Sequence, residues 1–294
     1  MSSSSVAPSD FSGLWVPLIT PFRHDGTVDH PSLAALVRRL APTGIAGFVV
    51  CGSTGEAAAL DEDEQLAVLA TVAAAAPELP RVMGLSGYHL GQTLGWVRRL
   101  ADHGLHGLLV PAPSYIRPSQ QGLVGWFSAI ADASSVPLIV YDIPYRTGAT
   151  LSLETLRTLA AHPRIRALKD CGGDMTKTRA LIADGALQVL AGEDAQIFST
   201  VAEGGAGAIA ASTHVETETF VQVLQLIGEG RLAEARPLWQ ALQPLIALLF
   251  AEPNPAPLKA WLADAGVIGD GHLRAPMTPV SDALREQLRR AIPA

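Results

Sequence analysis

The chain has 294 residues, 48 % hydrophobic and 17 % charged, with a formal net charge of −7. That length admits two domains or one large α/β barrel, and the acidic balance excludes a basic nucleic-acid-binding surface. Its two cysteines, Cys51 and Cys171, are too few for a disulfide framework and read as reduced, buried thiols.

The opening MSSSSVAPSD lacks the basic and apolar regions of a secretory leader and predicts a flexible tail over 1–10. No apolar stretch reaches the ~20 residues of a membrane span. A soluble, cytoplasmic protein with no membrane partner is expected.

From there, eight short apolar runs follow one another: 14–20, 45–51, 81–86, 107–112, 137–143, 165–170, 187–192 and 205–210. They mostly lack polar alternation, as strands buried on both faces do. The segments between them read as helices at 29–42, 61–76, 91–103, 119–133, 152–161 and 174–184. In the first, apolar residues at 33, 36, 37 and 40 fall on one helical face. The second opens on DEDE, favourable at a helix N-terminus. Ser152 is placed to cap the fifth. Strand and helix alternating at roughly 25-residue spacing predict a (β/α)₈ TIM barrel over 11–214. An open doubly wound sheet is the rival. It needs a glycine fingerprint after its first strand, and LITPFRHDG is not one. After 214 the strand signal stops. Helical patterns at 216–229, 231–250, 256–265 and 279–292 predict a C-terminal helical extension over 215–294, with no chemistry legible in it.

Active sites of such barrels form at the C-terminal ends of the strands. Lys169 closes the sixth apolar run. An amine in an apolar mouth loses its proton more readily and can then attack a carbonyl to form a Schiff base. A structural lysine paired to an acid is the plainer alternative, but Asp170, its neighbour, points to the opposite face of the strand. GSTGE (52–56) follows the second run. Its small residues let a ligand approach the backbone, and the N–H groups of Ser53 and Thr54 could hold a carboxylate. Tyr141 ends the fifth run in the layer expected to face Lys169, where a phenol can relay protons. Ser53 and Tyr115 could extend that relay. Arg146, in the next loop, could bind a second carboxylate in bidentate fashion. The eight histidines show no metal-ligand spacing, and no G-x-S-x-G elbow occurs.

GSTGE at 52–56, YIRPSQ at 115–120, YDIPYRTG at 141–148 and LKD around Lys169 occur in order. With these motifs the chain resembles the dihydrodipicolinate synthase/N-acetylneuraminate lyase family of pyruvate-dependent class I aldolases over nearly its whole length. Arg146 in PYRTG, EPNPAPLKAWL at 252–262 and MTPVSD at 277–282 are similar to the synthase branch. The resemblance implies an imine between Lys169 and pyruvate, with Tyr141, Ser53 and Tyr115 as the proton relay. Tyr115 would reach into a neighbouring subunit's site. It implies Thr54 with Ser53 on the pyruvate carboxylate, Arg146 on the carboxylate of L-aspartate 4-semialdehyde, and Gly192 and the Ile209 carbonyl along the pyruvate pocket. It further implies a step of lysine and diaminopimelate biosynthesis, no cofactor or metal, and a homotetramer built as a dimer of dimers. The chain departs from the pattern at Ser114 and Tyr145, where tyrosine and serine are common. Glu62, Gln65 and Ala57 stand where lysine-inhibited members carry histidines and a serine. Two other readings stay open: the same imine serving another aldehyde or a sugar acid, and a non-catalytic keto-acid sensor.

Overall fold

In the sixth strand of the computed structural model, β6 (Ile165–Asp170), Ala167 packs into the barrel interior with Cys171 just beyond the strand, while Leu168 joins the outer layer under the helices. Side chains alternate along a strand, so Lys169 faces the interior with Ala167 and Cys171. Asp170 faces outward, where it accepts hydrogen bonds from the Thr178 hydroxyl at 2.5 Å and the Gly172 N–H at 2.8 Å.

The structure describes residues 10–291; apart from Asp10, the tail expected over 1–10 lies outside them. Eight parallel strands close in sequence order: β1 (Gly13–Pro17), β2 (Gly47–Val50), β3 (Arg81–Gly84), β4 (Gly107–Pro111), β5 (Leu138–Asp142), then β6, β7 (Gln188–Ala191) and β8 (Gly207–Ile209). Closure comes from β8 pairing with β1, Trp15 opposite Ile209. The chain is therefore a closed (β/α)₈ barrel.

Two apolar layers hold it together. Inside, Trp15, Val49, Val82, Leu109, Ile139 and Leu190 fill the barrel from six strands, closed at its N-terminal end by Phe11. Outside, the alternate strand residues pack under the helices. These are α1 (His30–Leu40), α2 (Glu62–Ala75), α3 (Leu90–Arg99), α4 (Gln120–Ala133), the single turn α5 (Pro144–Thr147), α6 (Leu153–Ala160), α7 (Met175–Asp184), α8 (Ile197–Ala202) and α9 (Thr217–Gly228). The DEDE start becomes a capping box: Asp61 accepts from the Glu64 N–H, and Glu64 accepts from the Asp61 N–H. Ser152 caps α6 through the Thr155 N–H.

Beyond α9 come α10 (Leu232–Leu249), α11 (Ala256–Asp264) and α12 (Asp282–Ala291). The segment between α10 and α11 reaches the mouth of the barrel. The lock is an ion pair: Lys259 of α11 donates to Glu56 at 2.5 Å, both side chains being almost completely buried. Glu56 also accepts from the Arg274 N–H. The last residue of GSTGE thus ties the loop after β2 to the C-terminal helices. No helix among the described residues is long and apolar enough to cross a membrane.

Candidate active site

Lys169 and Tyr141 are directly paired across β6 and β5. The lysine Nζ lies 4.3 Å from the centroid of the tyrosine ring, and both residues are buried. Among the described residues Lys169 has no ion pair, so the plainer reading of a lysine locked to an acid does not hold. Burial holds its amine below the ordinary lysine value; Cys171, Asp194 and Glu193 pull it the other way, and Arg146 pulls with burial. Burial also keeps the Tyr141 phenol and the Cys171 thiol protonated, each well above its usual value.

A cavity of about 500 Å³ opens over this lysine, walled by Ser53, Thr54, Tyr141, Arg146, Gly192, Glu193, Asp194, Ile209 and Asn254. Gly192 is needed there for space. A Cβ at that position would sit 2.4 Å from Cys171 Sγ and 2.9 Å from Lys169 Cγ, inside any tolerable contact. A second, more apolar hollow adjoins the first, and the two share Ser53, Tyr141, Arg146 and Asn254.

The loop after β2 forms a tight turn over Ser53–Gly55. The Gly55 N–H returns to the Gly52 carbonyl and the Glu56 N–H to that of Ser53, while the Thr20 hydroxyl donates to the Gly55 carbonyl at 2.7 Å. Among the described residues no acceptor meets the N–H of Ser53 or Thr54. Two free backbone donors at a cavity wall suit a carboxylate. After β5 the PYRT residues wind into α5, whose Arg146 and Thr147 N–H groups both donate to the Ile143 carbonyl. That turn carries Tyr145 and Arg146 above the mouth.

The structure brings together Lys169, Tyr141, Ser53, Thr54, Arg146, Gly192 and Ile209. It does not bring Tyr115 to them. That side chain is 87 % exposed and lines neither hollow; its backbone adopts φ +75°. Sequence reasoning missed Asn254, whose Nδ2 donates to the Thr54 hydroxyl at 3.0 Å. It lies 85 residues beyond Lys169, in the extension where no chemistry was legible. Asp194 was also missed. Buried at the end of β7, it accepts from the Ser212 N–H at 2.6 Å and the Ala211 N–H at 3.3 Å. Burial pushes its carboxyl up to about 6, against those two donors. The AGED motif at the strand end was the only signal for it.

Fold and site define a class: a (β/α)₈ barrel presenting a desolvated, uncommitted amine at its C-terminal mouth, beside a phenol and two open backbone donors. Residues 10–294 match the Dihydrodipicolinate synthetase family, and the chain belongs to that family. It is 37 % identical over 281 residues to 4-hydroxy-tetrahydrodipicolinate synthase 2 of Clostridium acetobutylicum, covering 95 % of this chain and 98 % of that one. To the 4-hydroxy-tetrahydrodipicolinate synthase of Haloarcula marismortui it is 35 % identical, covering 95 % and 92 %. Among solved structures, the dihydrodipicolinate synthase of Acinetobacter baumannii complexed with pyruvate superposes with TM-score 0.92 at 32 % identity, covering 95 % of this chain and 97 % of that one.

Proposed function

We propose that this chain is a pyruvate-dependent lyase of the 4-hydroxy-tetrahydrodipicolinate synthase type, acting in lysine and diaminopimelate biosynthesis. Pyruvate binds with its carboxylate on the N–H groups of Ser53 and Thr54, against Gly192 and Ile209. The neutral amine of Lys169 adds to the keto carbon, and loss of water gives the protonated imine. Loss of a methyl proton gives the enamine, whose carbon attacks the aldehyde of L-aspartate 4-semialdehyde. Tyr141 moves the protons in these steps, with the Ser53 hydroxyl beside it. Arg146 binds the aldehyde's own carboxylate. Attack by the substrate's amine closes the ring and releases Lys169.

The observation that carries the reading is the buried Lys169 amine with no ionic partner, facing Tyr141 across adjacent strands. The exposed Tyr115 completes the relay in a second copy of the chain, within a homotetramer of paired dimers in the cytoplasm.

The test is pyruvate with borohydride, followed by mass spectrometry, then pyruvate with a panel of aldehydes. A reduced adduct on Lys169 and fastest turnover with aspartate semialdehyde are expected. No adduct overturns the imine; faster turnover of another aldehyde overturns the synthase assignment.

A further inference from the structure

Two charged groups on the wall of the Lys169 cavity have no ion-pair partner among the described residues. Arg146, exposed on α5, makes no hydrogen bond or ion pair among the described residues; its guanidinium carbon lies 5.9 Å from the ring centroid of its own neighbour Tyr145. Glu193, two residues after the last of β7, lines the same cavity. Its Oε1 is buried and has no hydrogen-bond partner, while the Tyr145 hydroxyl and the Cys171 thiol, both neutral donors, neighbour the carboxylate. No ion pair joins Arg146 to Glu193, although both line one hollow.

A buried carboxylate oxygen without a partner is costly, whereas the exposed Arg146 is solvated. Such a pair becomes satisfied when a ligand brings a negative group to one and a positive group to the other. The neighbours favour this polarity. Tyr145, beside Glu193, is kept protonated by burial, by Cys171 and by the Glu193 carboxylate itself, so it adds no negative charge. Cys171 likewise stays a neutral thiol. Lys169, uncharged in the enamine that meets the second substrate, does not compete for Glu193 at that step.

We propose that Glu193 is the specificity-determining residue for the second substrate: its carboxylate receives the ammonium of an α-amino acid aldehyde whose carboxylate sits on Arg146. The inference rests on the proposed function and deepens it. Arg146 alone accepts any carboxylate-bearing aldehyde, whereas the separated pair selects the zwitterion. Holding the ammonium also keeps the substrate nitrogen near the bond being made, where it gives its proton to the Glu193 carboxylate and attacks as the free amine to close the ring.

The experiment measures pyruvate consumption with aspartate semialdehyde and with 4-oxobutanoate, which is the same chain without the amine. Wild type, Glu193→Gln and Glu193→Asp are compared. The expected result is a preference for the amino aldehyde in wild type that falls at least tenfold in Glu193→Gln through KM for that aldehyde. Glu193→Asp retains most of the preference. Borohydride trapping of pyruvate on Lys169, performed at alkaline pH, stays intact in all three and shows that the site is folded. A preference unchanged in a Glu193→Gln enzyme that still traps pyruvate overturns the assignment to Glu193. A wild type that does not prefer the amino aldehyde overturns the proposed function itself, and with it this inference.

Discussion

Lys169 and Tyr141 are register partners on neighbouring strands, and the amine sits 4.3 Å from the phenol ring's centre. Both are buried on the barrel's inner face, at the floor of the cavity that opens at its mouth. The closed sheet fixes their distance, and no flexible loop intervenes.

That geometry separates binding from proton transfer. Tyr141→Phe keeps the ring and its packing and removes only the hydroxyl. Turnover is expected to drop by roughly 10²–10⁴-fold, the usual worth of a positioned acid–base group, with the thermal midpoint nearly unchanged. Rates at saturating substrates beside a melting curve check it. A drop below tenfold removes Tyr141 from the relay.

Imine formation needs the unprotonated amine, so its rate falls as pH falls through the Lys169 pKa. Arg146 holds that pKa down, while Asp194 and Glu193 hold it up. Arg146→Ala is therefore expected to move the acid limb of pyruvate trapping to higher pH, and Glu193→Gln to lower pH. Both profiles are read with pyruvate alone, so the second substrate plays no part. Shifts in the reverse order would contradict the electrostatic account.

Gly192→Ala inserts a methyl group where Cys171 and Lys169 already stand. Pyruvate trapping is expected to be lost, with a destabilisation of about 1–3 kcal/mol typical of overpacking. Gly192→Ala with Cys171→Ala makes room on the closer side. Partial return of trapping in the double variant is the confirming result.

The Glu56–Lys259 pair predicts an asymmetric response. Lys259→Met leaves Glu56 buried without its counter-ion and is expected to cost about 3–5 kcal/mol. Adding Glu56→Gln should recover a good part of it, because the stranded charge is gone. Urea midpoints of the two variants and the wild type decide the matter. An equal loss in the single and double variants would show that the charge is not what matters.

Two buried groups oppose each other in acid. His214 is held at about 4 by burial, below its ordinary 6.5. Its Nε2 accepts the Ile19 N–H, which requires that nitrogen unprotonated. Below pH 6.5 the unfolded chain binds a proton that the native chain refuses, so stability is lost as pH falls from 6.5 to 4. Asp194, raised from 3.8 to about 6, binds its proton first in the native chain, so it restores stability as pH falls from 6 to 3.8. Asp194→Asn removes the restoring half. The stability difference between wild type and this variant should move in the wild type's favour by about 2 kcal/mol from pH 7 to pH 4, measured by urea unfolding at several pH values. A constant gap would mean that Asp194 does not titrate in this range.

The order of elements was legible because each strand is an unbroken apolar run, as burial on both faces demands, and each helix shows its own periodicity and cap. Lys169, Tyr141 and the GSTGE loop could be placed because they fall at strand ends, where a barrel puts its mouth. Asp194 stood at a strand end too, but nothing in AGED tells a pocket carboxylate from one that pins a loop through the Ala211 and Ser212 amides.

Sequence by itself determined the alternation along β6, which turns Lys169 inward and Asp170 outward, since the period of two is local backbone geometry. Only the tertiary structure decided that Asn254 meets Thr54, that Lys259 neutralises Glu56, and that Arg146 and Glu193 face one cavity. These relationships join residues 47 to 203 positions apart in the chain. They depend on how the closed barrel and its returning C-terminal helices fill space, and no local pattern encodes that.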